Sequence, residues 1–262
     1  MFIKAKKSLG QNFLIDREVL EKIVSIIDIA GKEVLEIGPG SGNLTTYILK
    51  QKPKKLYVVE KDDELAILLK KKFDTDIEII NDDILEVYED KISDQKLSVF
   101  GNLPYNISTE ILSKWILNIR SNFWFESLIL MFQKEVADRI ISEFNNSKYG
   151  RLSILSSWKL NVHKIIDIKP QSFSPRPKID SSLLLFTPKE NFFELKDPKN
   201  LEKITRIFFS QRRKMLKKPF NQVFANGKQV AEKFGIDLNL RPQNLEPETY
   251  FKLVKEYEDL RG

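Results

Sequence analysis

The chain has 262 residues, of which 42% are hydrophobic, and its formal net charge is +6 at pH 7. This length and composition can bury one large domain, with or without a smaller appended one, so the chain should be globular. It contains no cysteine and a single histidine, His163, which excludes disulfide frameworks, zinc fingers, His-based triads and HExxH metal sites by count. Any chemistry must therefore use amides, carboxylates, hydroxyls, aromatic rings or a bound cofactor.

Neither membrane insertion nor secretion is expected from this sequence. The start, MFIKAKKSLGQNF, lacks the apolar core of a signal peptide. The longest apolar runs, such as residues 127–132, are far shorter than the roughly 20 residues that span a bilayer. We therefore expect a cytoplasmic protein. Residues 188–262 carry 16 Lys and Arg against 11 Asp and Glu, a charge balance that suits a polyanionic partner and equally an ordinary solvated surface.

The first predicted element is an amphipathic helix with Asp16 as its N-cap. Apolar residues recur at helical spacing from Val19 to Ile27 and stop before Gly31. Short apolar runs typical of buried strands follow, mostly separated by helical patterns. These runs are residues 33–38, 56–60, 77–81, 97–100 and 128–132. The alternation of strand and helix predicts a parallel α/β sheet with right-handed crossovers.

The second half of the chain changes character. After Tyr149 the pattern predicts a helix to Trp158, followed by strands at 162–168 and 183–186 that are joined through the proline-rich KPQSFSPRPKIDS. Residues 187–198 are typical of a linker, and only helical patterns follow them. We therefore predict two domains, residues 1–187 with the sheet and residues 188–262 as a small helical domain.

The first predicted strand runs into a glycine-rich turn, EIGPGSGNLT. Glycine permits positive φ and lets the backbone approach a ligand at the carboxyl end of a strand. Glu60 ends the next strand 22 residues after Gly38, where its carboxylate can accept hydrogen bonds from ribose hydroxyls. A dinucleotide site would usually have a third glycine where this chain has Asn43, which argues against a dehydrogenase. A tight turn without a ligand is the alternative.

An acidic pair, Asp82 and Asp83, ends the third predicted strand. Together with the glycine turn and Glu60, it favours S-adenosylmethionine as the ligand. One carboxylate would take the ribose and Asp83 the adenine amino group, although the sequence leaves the choice between Asp82 and Asp83 open.

The fourth predicted strand ends in LSVFGNLPYNIS, residues 97–108. The Asn102 side-chain oxygen and the Pro104 carbonyl can accept the two N–H bonds of a nucleobase amine and favour a pyramidal nitrogen. Proline fixes the direction of its carbonyl, and Tyr105 offers a stacking face. Such a site would methylate an amine by positioning alone, without a general base. The alternative is a strand that ends in a proline turn with a half-buried tyrosine.

These stretches together resemble the ribosomal RNA adenine dimethyltransferase family over nearly the whole chain. The matching motifs are KKSLGQNFL, EIGPGSGNLT, FGNLPYNIS, SFSPRPKIDS and FSQRRKML. The resemblance implies a Rossmann-like methyltransferase sheet with a C-terminal helical domain, and Asn102, Pro104 and Tyr105 as the catalytic residues. It further implies that S-adenosylmethionine contacts Asn12, Leu14, Gly38, Glu60, Asp83 and Asn102. The residues that would bind RNA are Tyr105, Phe173, Arg212, Arg213 and Lys214.

In this interpretation the target base lies between the rings of Tyr105 and Phe173, unless Phe173 is simply a core aromatic. Arg212, Arg213 and Lys214 would form a basic helix that holds RNA phosphates, unless the charge run is solvated surface. Gln11 and Asn12, behind Lys6 and Lys7, would form an ordered lid over the cofactor.

The resemblance implies dimethylation of two adjacent adenosines near the 3′ end of small-subunit ribosomal RNA, on the immature small ribosomal subunit, by a monomer. Three other functions remain open at this point. They are a large-subunit RNA methyltransferase of the antibiotic-resistance type, a noncatalytic RNA-binding assembly factor and, least compatible with Asn43, a dehydrogenase.

Overall fold

The structure, a computed structural model, describes Lys6 and residues 10–119 and 122–261. Its strands are β1 (Phe13–Leu14), β2 (Glu33–Ile37), β3 (Lys55–Val59), β4 (Glu78–Ile80), β5 (Leu97–Gly101), β6 (Phe125–Gln133), β7 (Leu160–Ile168), β8 (Phe173–Ser174) and β9 (Ser181–Pro188). Its helices are α1 (Arg17–Val24), α2 (Asn43–Lys50), α3 (Asp63–Phe73), α4 (Ser108–Asn118), α5 (Lys134–Ile140), α6 (Arg151–Lys159), α7 (Pro198–Ser210), α8 (Lys217–Val223), α9 (Gly227–Lys233) and α10 (Pro247–Asp259).

The main sheet has seven strands in the order β4-β3-β2-β5-β6-β9-β7. The five strands from β4 to β6 are parallel, so the strands predicted in the first half of the chain are confirmed. The sheet is not parallel throughout, because β9 runs antiparallel to β6 and pairs Phe186 with Leu128. The alternation of strand and helix that predicts a parallel sheet ends at β6, and the antiparallel strand β9 comes later in the chain. A separate two-stranded sheet pairs β1 with β8.

The predicted start of the first helix is confirmed. The Asp16 carboxylate accepts the backbone N–H groups of Glu18 and Val19 at 3.1 and 3.4 Å, as an N-cap should. The helix ends at Val24 rather than continuing to Ile27, because the Ser25 hydroxyl bonds back to a carbonyl of the last turn and competes with helix propagation.

The chain folds into two compact units. The first takes the described residues up to Trp115 together with 119, 122–137 and 163–188, and it contains most of the sheet. The second takes 116–118, 138–162 and the described residues from Lys189 onward. The second unit thus combines the described residues after 188 with the segment 138–162, whereas the sequence predicts a helical domain of residues 188–262 alone.

The second unit has a hydrophobic core of its own. Described residues from Lys189 onward form α7 to α10 and no strand. Their buried side chains include Leu201, Ile204, Phe208, Phe220, Tyr250, Leu253 and Val254, each with 0% exposure. The apolar periodicity of this part of the sequence therefore places helices correctly.

Candidate active site

A cavity of about 210 Å³ opens at the carboxyl ends of the parallel strands, where ligands bind in open α/β sheets. The sequence-predicted residues that line it are Asn12, Leu14, Gly38, Glu60, Asp82, Asp83, Asn102, Pro104 and Tyr105. The wall does not include Phe173, Arg212, Arg213 or Lys214. The structure thus brings the predicted cofactor residues and the 102–105 loop to one site.

The glycine-rich turn between β2 and α2 forms one wall of the cavity. Gly38 and Gly40 have φ of +64° and +58°, which glycine adopts without strain. A Cβ on Gly40 would lie 2.7 Å from the ring of Phe13, so a side chain there would displace the N-terminal segment. Glycine therefore permits the backbone conformation of the turn and also the position of the Phe13 ring against Gly40.

Glu60 follows β3 and is 6% exposed. Its two carboxylate oxygens accept the backbone N–H groups of Gly40 at 3.1 Å and Asp62 at 2.9 Å. Burial raises the pKa of Glu60 above its ordinary value, although these N–H groups oppose that shift. Each oxygen keeps a further lone pair, so the carboxylate fits as an acceptor for two ribose hydroxyls.

The acidic pair after β4, Asp82 and Asp83, accepts hydrogen bonds from neighbouring protein groups. Asp83 accepts the Leu85 N–H at 3.0 Å through one oxygen and pairs with Lys61 at 2.5 Å through the other. The hydrogen bond from Lys61 holds the pKa of Asp83 below its ordinary value. Asp82 is exposed and its carboxylate accepts the Asp83 N–H at 2.7 Å. Lys61 is a lining residue that the sequence analysis missed.

The N-terminal segment is tied to the rim of the cavity through Asp62. Lys6 Nζ and Gln11 Nε2 donate to the two Asp62 oxygens at 2.8 and 3.0 Å. Burial would raise the pKa of Asp62, but these donors outweigh it and lower the pKa below the ordinary value. Asp62 is 4% exposed, and the sequence analysis did not single it out. Of the predicted lid, Lys7 lies outside the described residues.

Asn102 connects the N-terminal segment to the loop after β5. Its Nδ2 donates to the Asn12 carbonyl at 2.7 Å. Its Oδ1 accepts no hydrogen bond from the described residues, so it remains an acceptor at the cavity wall. The Pro104 carbonyl accepts the Ile107 N–H at 3.1 Å and retains one lone pair. Asn102 Oδ1 and the Pro104 carbonyl oxygen can thus each accept a hydrogen bond from an amine. The Pro104 oxygen also accepts the hydrogen bond from Ile107.

The two rings predicted to sandwich a base do not face the same space. Tyr105 lines the cavity, and its hydroxyl lies 2.5 Å from Ser181 Oγ. Phe173 is 1% exposed in the hydrophobic core, because the pairing of β8 with β1 sets it opposite Leu14. In this arrangement Phe173 is a core aromatic, the alternative that the sequence left open.

The predicted basic helix is also different in the structure. Arg212, Arg213 and Lys214 lie in the turn between α7 and α8, since the backbone leaves helical geometry at Gln211 with φ −130° and ψ 54°. The Arg212 guanidinium donates to backbone carbonyls of Ser147 and Tyr149 at 2.5 and 3.1 Å. Arg213 and Lys214 are exposed. The three cations therefore differ, because Arg212 binds backbone carbonyls and the other two side chains face solvent.

Comparison with known proteins identifies the family of this chain. The family model described as ribosomal RNA adenine dimethylase matches residues 2–259. The chain belongs to this family. It is 91% identical over 262 residues to the Ribosomal RNA small subunit methyltransferase A of Pelagibacter ubique, with both chains fully covered. It is 40% identical to the protein of the same name from a Wolbachia of Drosophila simulans, over 98% of this chain and 95% of the other.

Two solved structures have folds similar to that of this ribosomal RNA adenine dimethylase. A dimethyladenosine transferase from Plasmodium falciparum superposes with a TM-score of 0.76 at 26% identity, covering 94% of this chain and 98% of the other. The 23S rRNA methyltransferase ErmE superposes with a TM-score of 0.67 at 22% identity, covering 96% and 100%, and shares the fold. The predicted Rossmann-like methyltransferase fold is confirmed.

Membership of the family also confirms the cofactor and the class of enzyme. The dimethylase uses S-adenosylmethionine, and the cavity fits it because the Glu60 carboxylate and the glycine turn meet where a nucleoside with a ribose would bind. None of the helices that the structure describes is long and apolar enough to cross a membrane.

Proposed function

We propose that this dimethylase transfers methyl groups to the exocyclic amines of two adjacent adenosines near the 3′ end of small-subunit ribosomal RNA. It would act on the immature small ribosomal subunit, as a monomer, in the cytoplasm. The names of the relatives at 91% and 40% identity support the small subunit as the substrate.

The observation that carries the proposal is the orientation of the Asn102 amide. Because Nδ2 is held by the Asn12 carbonyl, Oδ1 is the atom left to accept an N–H from the target. An adenine amine is a poor nucleophile, since its lone pair is delocalised into the ring. Accepting its N–H bonds at Asn102 Oδ1 and at the Pro104 carbonyl favours a pyramidal nitrogen with a localised lone pair.

The remaining residues bind rather than react. When bound, S-adenosylmethionine supplies the activated methyl group, and Glu60, Gly38, Asn12, Leu14 and Asp83 would hold it. Tyr105 would stack on the target base, which is worth roughly 1–3 kcal/mol per base. Stacking tolerates sliding, so a base that already carries one methyl can shift and present its remaining N–H in a second round.

The test is incubation of the protein with labelled S-adenosylmethionine and either immature small or large ribosomal subunits, followed by RNA digestion and mass spectrometry. We expect dimethyladenosine at two neighbouring positions in small-subunit RNA, with monomethyl species only as intermediates. Label confined to large-subunit RNA would instead identify an enzyme of the resistance type. Binding without transfer would identify an assembly factor, and a monomethyl end product would contradict the two-round site.

A further inference from the structure

The hydroxyl of Tyr105 contacts a serine 76 positions away in sequence. The Tyr105 hydroxyl and Ser181 Oγ lie 2.5 Å apart. Ser181 is the first residue of β9, is 0% exposed, and pairs in register with Gln133 at the end of β6. The serine is therefore fixed by the sheet, while Tyr105 belongs to the loop after β5.

This contact anchors the hydroxyl end of the Tyr105 ring. The hydroxyl lies on the axis from Cβ through Cγ to Cζ, so a hydrogen bond there fixes the direction of that axis, which χ1 sets, and rotation of the ring about the axis is left to the packing around it. A tyrosine hydroxyl is protonated at neutral pH, and burial raises the pKa of Tyr105 further, so either hydroxyl of this pair can be the hydrogen-bond donor. A ring without this restraint would sample other orientations at the cavity wall.

We infer that Ser181 is a positioning residue for methyl transfer, which anchors the hydroxyl end of Tyr105 and so keeps its ring at the part of the cavity wall where the target adenine stacks. The inference rests on the proposed function, because it needs Tyr105 to contact the base. It also gives the SFSPRPKIDS segment a role in the site although Phe173 is buried in the core. Ser181, the last residue of that segment, reaches the catalytic loop instead.

The neighbouring residue, Ser182, is a matched control. It is also 0% exposed on β9, and its hydroxyl also makes one side-chain hydrogen bond, to Asp167 at 2.6 Å. Successive strand residues point to opposite faces of a sheet, so Ser182 does not reach Tyr105. Ser182→Ala therefore removes a buried serine hydroxyl from the same strand without touching the catalytic loop.

The test is a double-mutant cycle with Ser181→Ala and Tyr105→Phe, measured as single-turnover methylation of immature small subunits. Phenylalanine keeps the ring in the same space, so Tyr105→Phe carries the test even if Ser181→Ala folds poorly. We expect each single variant to lower the rate by about three- to tenfold. The double variant should be no slower than either single one, with the KM for the subunit and the S-adenosylmethionine affinity unchanged. Ser182→Ala should keep the parent rate.

Tyr105→Ala separates failure of this inference from failure of the proposed function. A slow Tyr105→Ala beside parent-like Ser181→Ala and Tyr105→Phe would overturn the role of Ser181 and leave the stacking role intact. A parent-like Tyr105→Ala would overturn the stacking role itself. Losses that multiply in the double variant, or an equal loss in Ser182→Ala, would show that the two hydroxyls act independently or only support the strand.

Discussion

Asn43 donates a hydrogen bond from its side-chain amide to the main-chain carbonyl of Leu14 at 2.8 Å. Asn43 is the first residue of α2, directly after the glycine turn, and Leu14 belongs to β1. A dinucleotide-binding turn would have glycine at this position, and glycine has no side chain that could reach the carbonyl. The residue that argues against a dehydrogenase thus attaches the N-terminal segment to the cofactor cavity.

Replacing Asn43 with alanine should weaken S-adenosylmethionine binding by about three- to tenfold, the effect of losing one ordinary hydrogen bond. Isothermal calorimetry on the folded variant measures it. Thr46→Ala is a suitable control, because among the described residues the Thr46 hydroxyl makes one hydrogen bond, to the carbonyl of Gly42 at the N-cap of α2, at 2.8 Å. Equal affinities for Asn43→Ala and parent would show that this hydrogen bond does not contribute to cofactor binding.

The sequence predicts that Gly38, Glu60 and Asn102 lie close together, because they stand where parallel strands end and such ends meet at one edge of a sheet, and the structure places all three at one cavity. What the sequence misses depends on contacts between distant segments. The pairing of β1 with β8 buries Phe173, and the bond from Tyr105 to Ser181 joins residues that no local pattern connects. A run of basic residues likewise cannot reveal which arginine will bind backbone carbonyls.

Glu36 should make the stability of the protein depend on pH. It is 1% exposed beside the cavity, and its carboxyl accepts the Thr45 hydroxyl at 2.6 Å. Burial raises the pKa of Glu36 to about 8, with Glu60 acting in the same direction and Lys72 against it. The folded state therefore holds a proton that the unfolded chain releases near pH 4.5.

This contribution to stability is complete below pH 4.5 and is lost as pH rises through about 8. Denaturant unfolding should show that parent loses about 2 kcal/mol more than Glu36→Gln between pH 6 and pH 8. Glutamine keeps the shape and the acceptor for Thr45 but does not titrate. Parallel pH profiles for the two proteins would mean that Glu36 is not the group responsible.

The three cations at 212–214 should separate into a structural and an RNA-binding group. Arg212→Ala should lower the free energy of unfolding by about 1.5–3 kcal/mol, because it removes charge-assisted bonds to the Ser147 and Tyr149 carbonyls. Replacing Arg213 and Lys214 should leave stability unchanged, weaken capture of the small subunit and flatten its salt dependence. Thermal melts and binding at several salt concentrations decide between them, and an unchanged salt slope would show that Arg213 and Lys214 only face solvent.

The single-turnover methylation rate of Asn102→Ala on immature small subunits tests the proposed catalytic loop most directly. The variant should stay folded. It should bind S-adenosylmethionine about three- to tenfold more weakly, because it loses the hydrogen bond from Asn102 Nδ2 to the Asn12 carbonyl, so the rate is measured at saturating S-adenosylmethionine. Its rate should nevertheless fall by about 10²–10³-fold, as expected when a positioned polar contact to the reacting group is lost. A folded Asn102→Ala that dimethylates at close to the parent rate would contradict this account and leave the 102–105 loop as a structural turn.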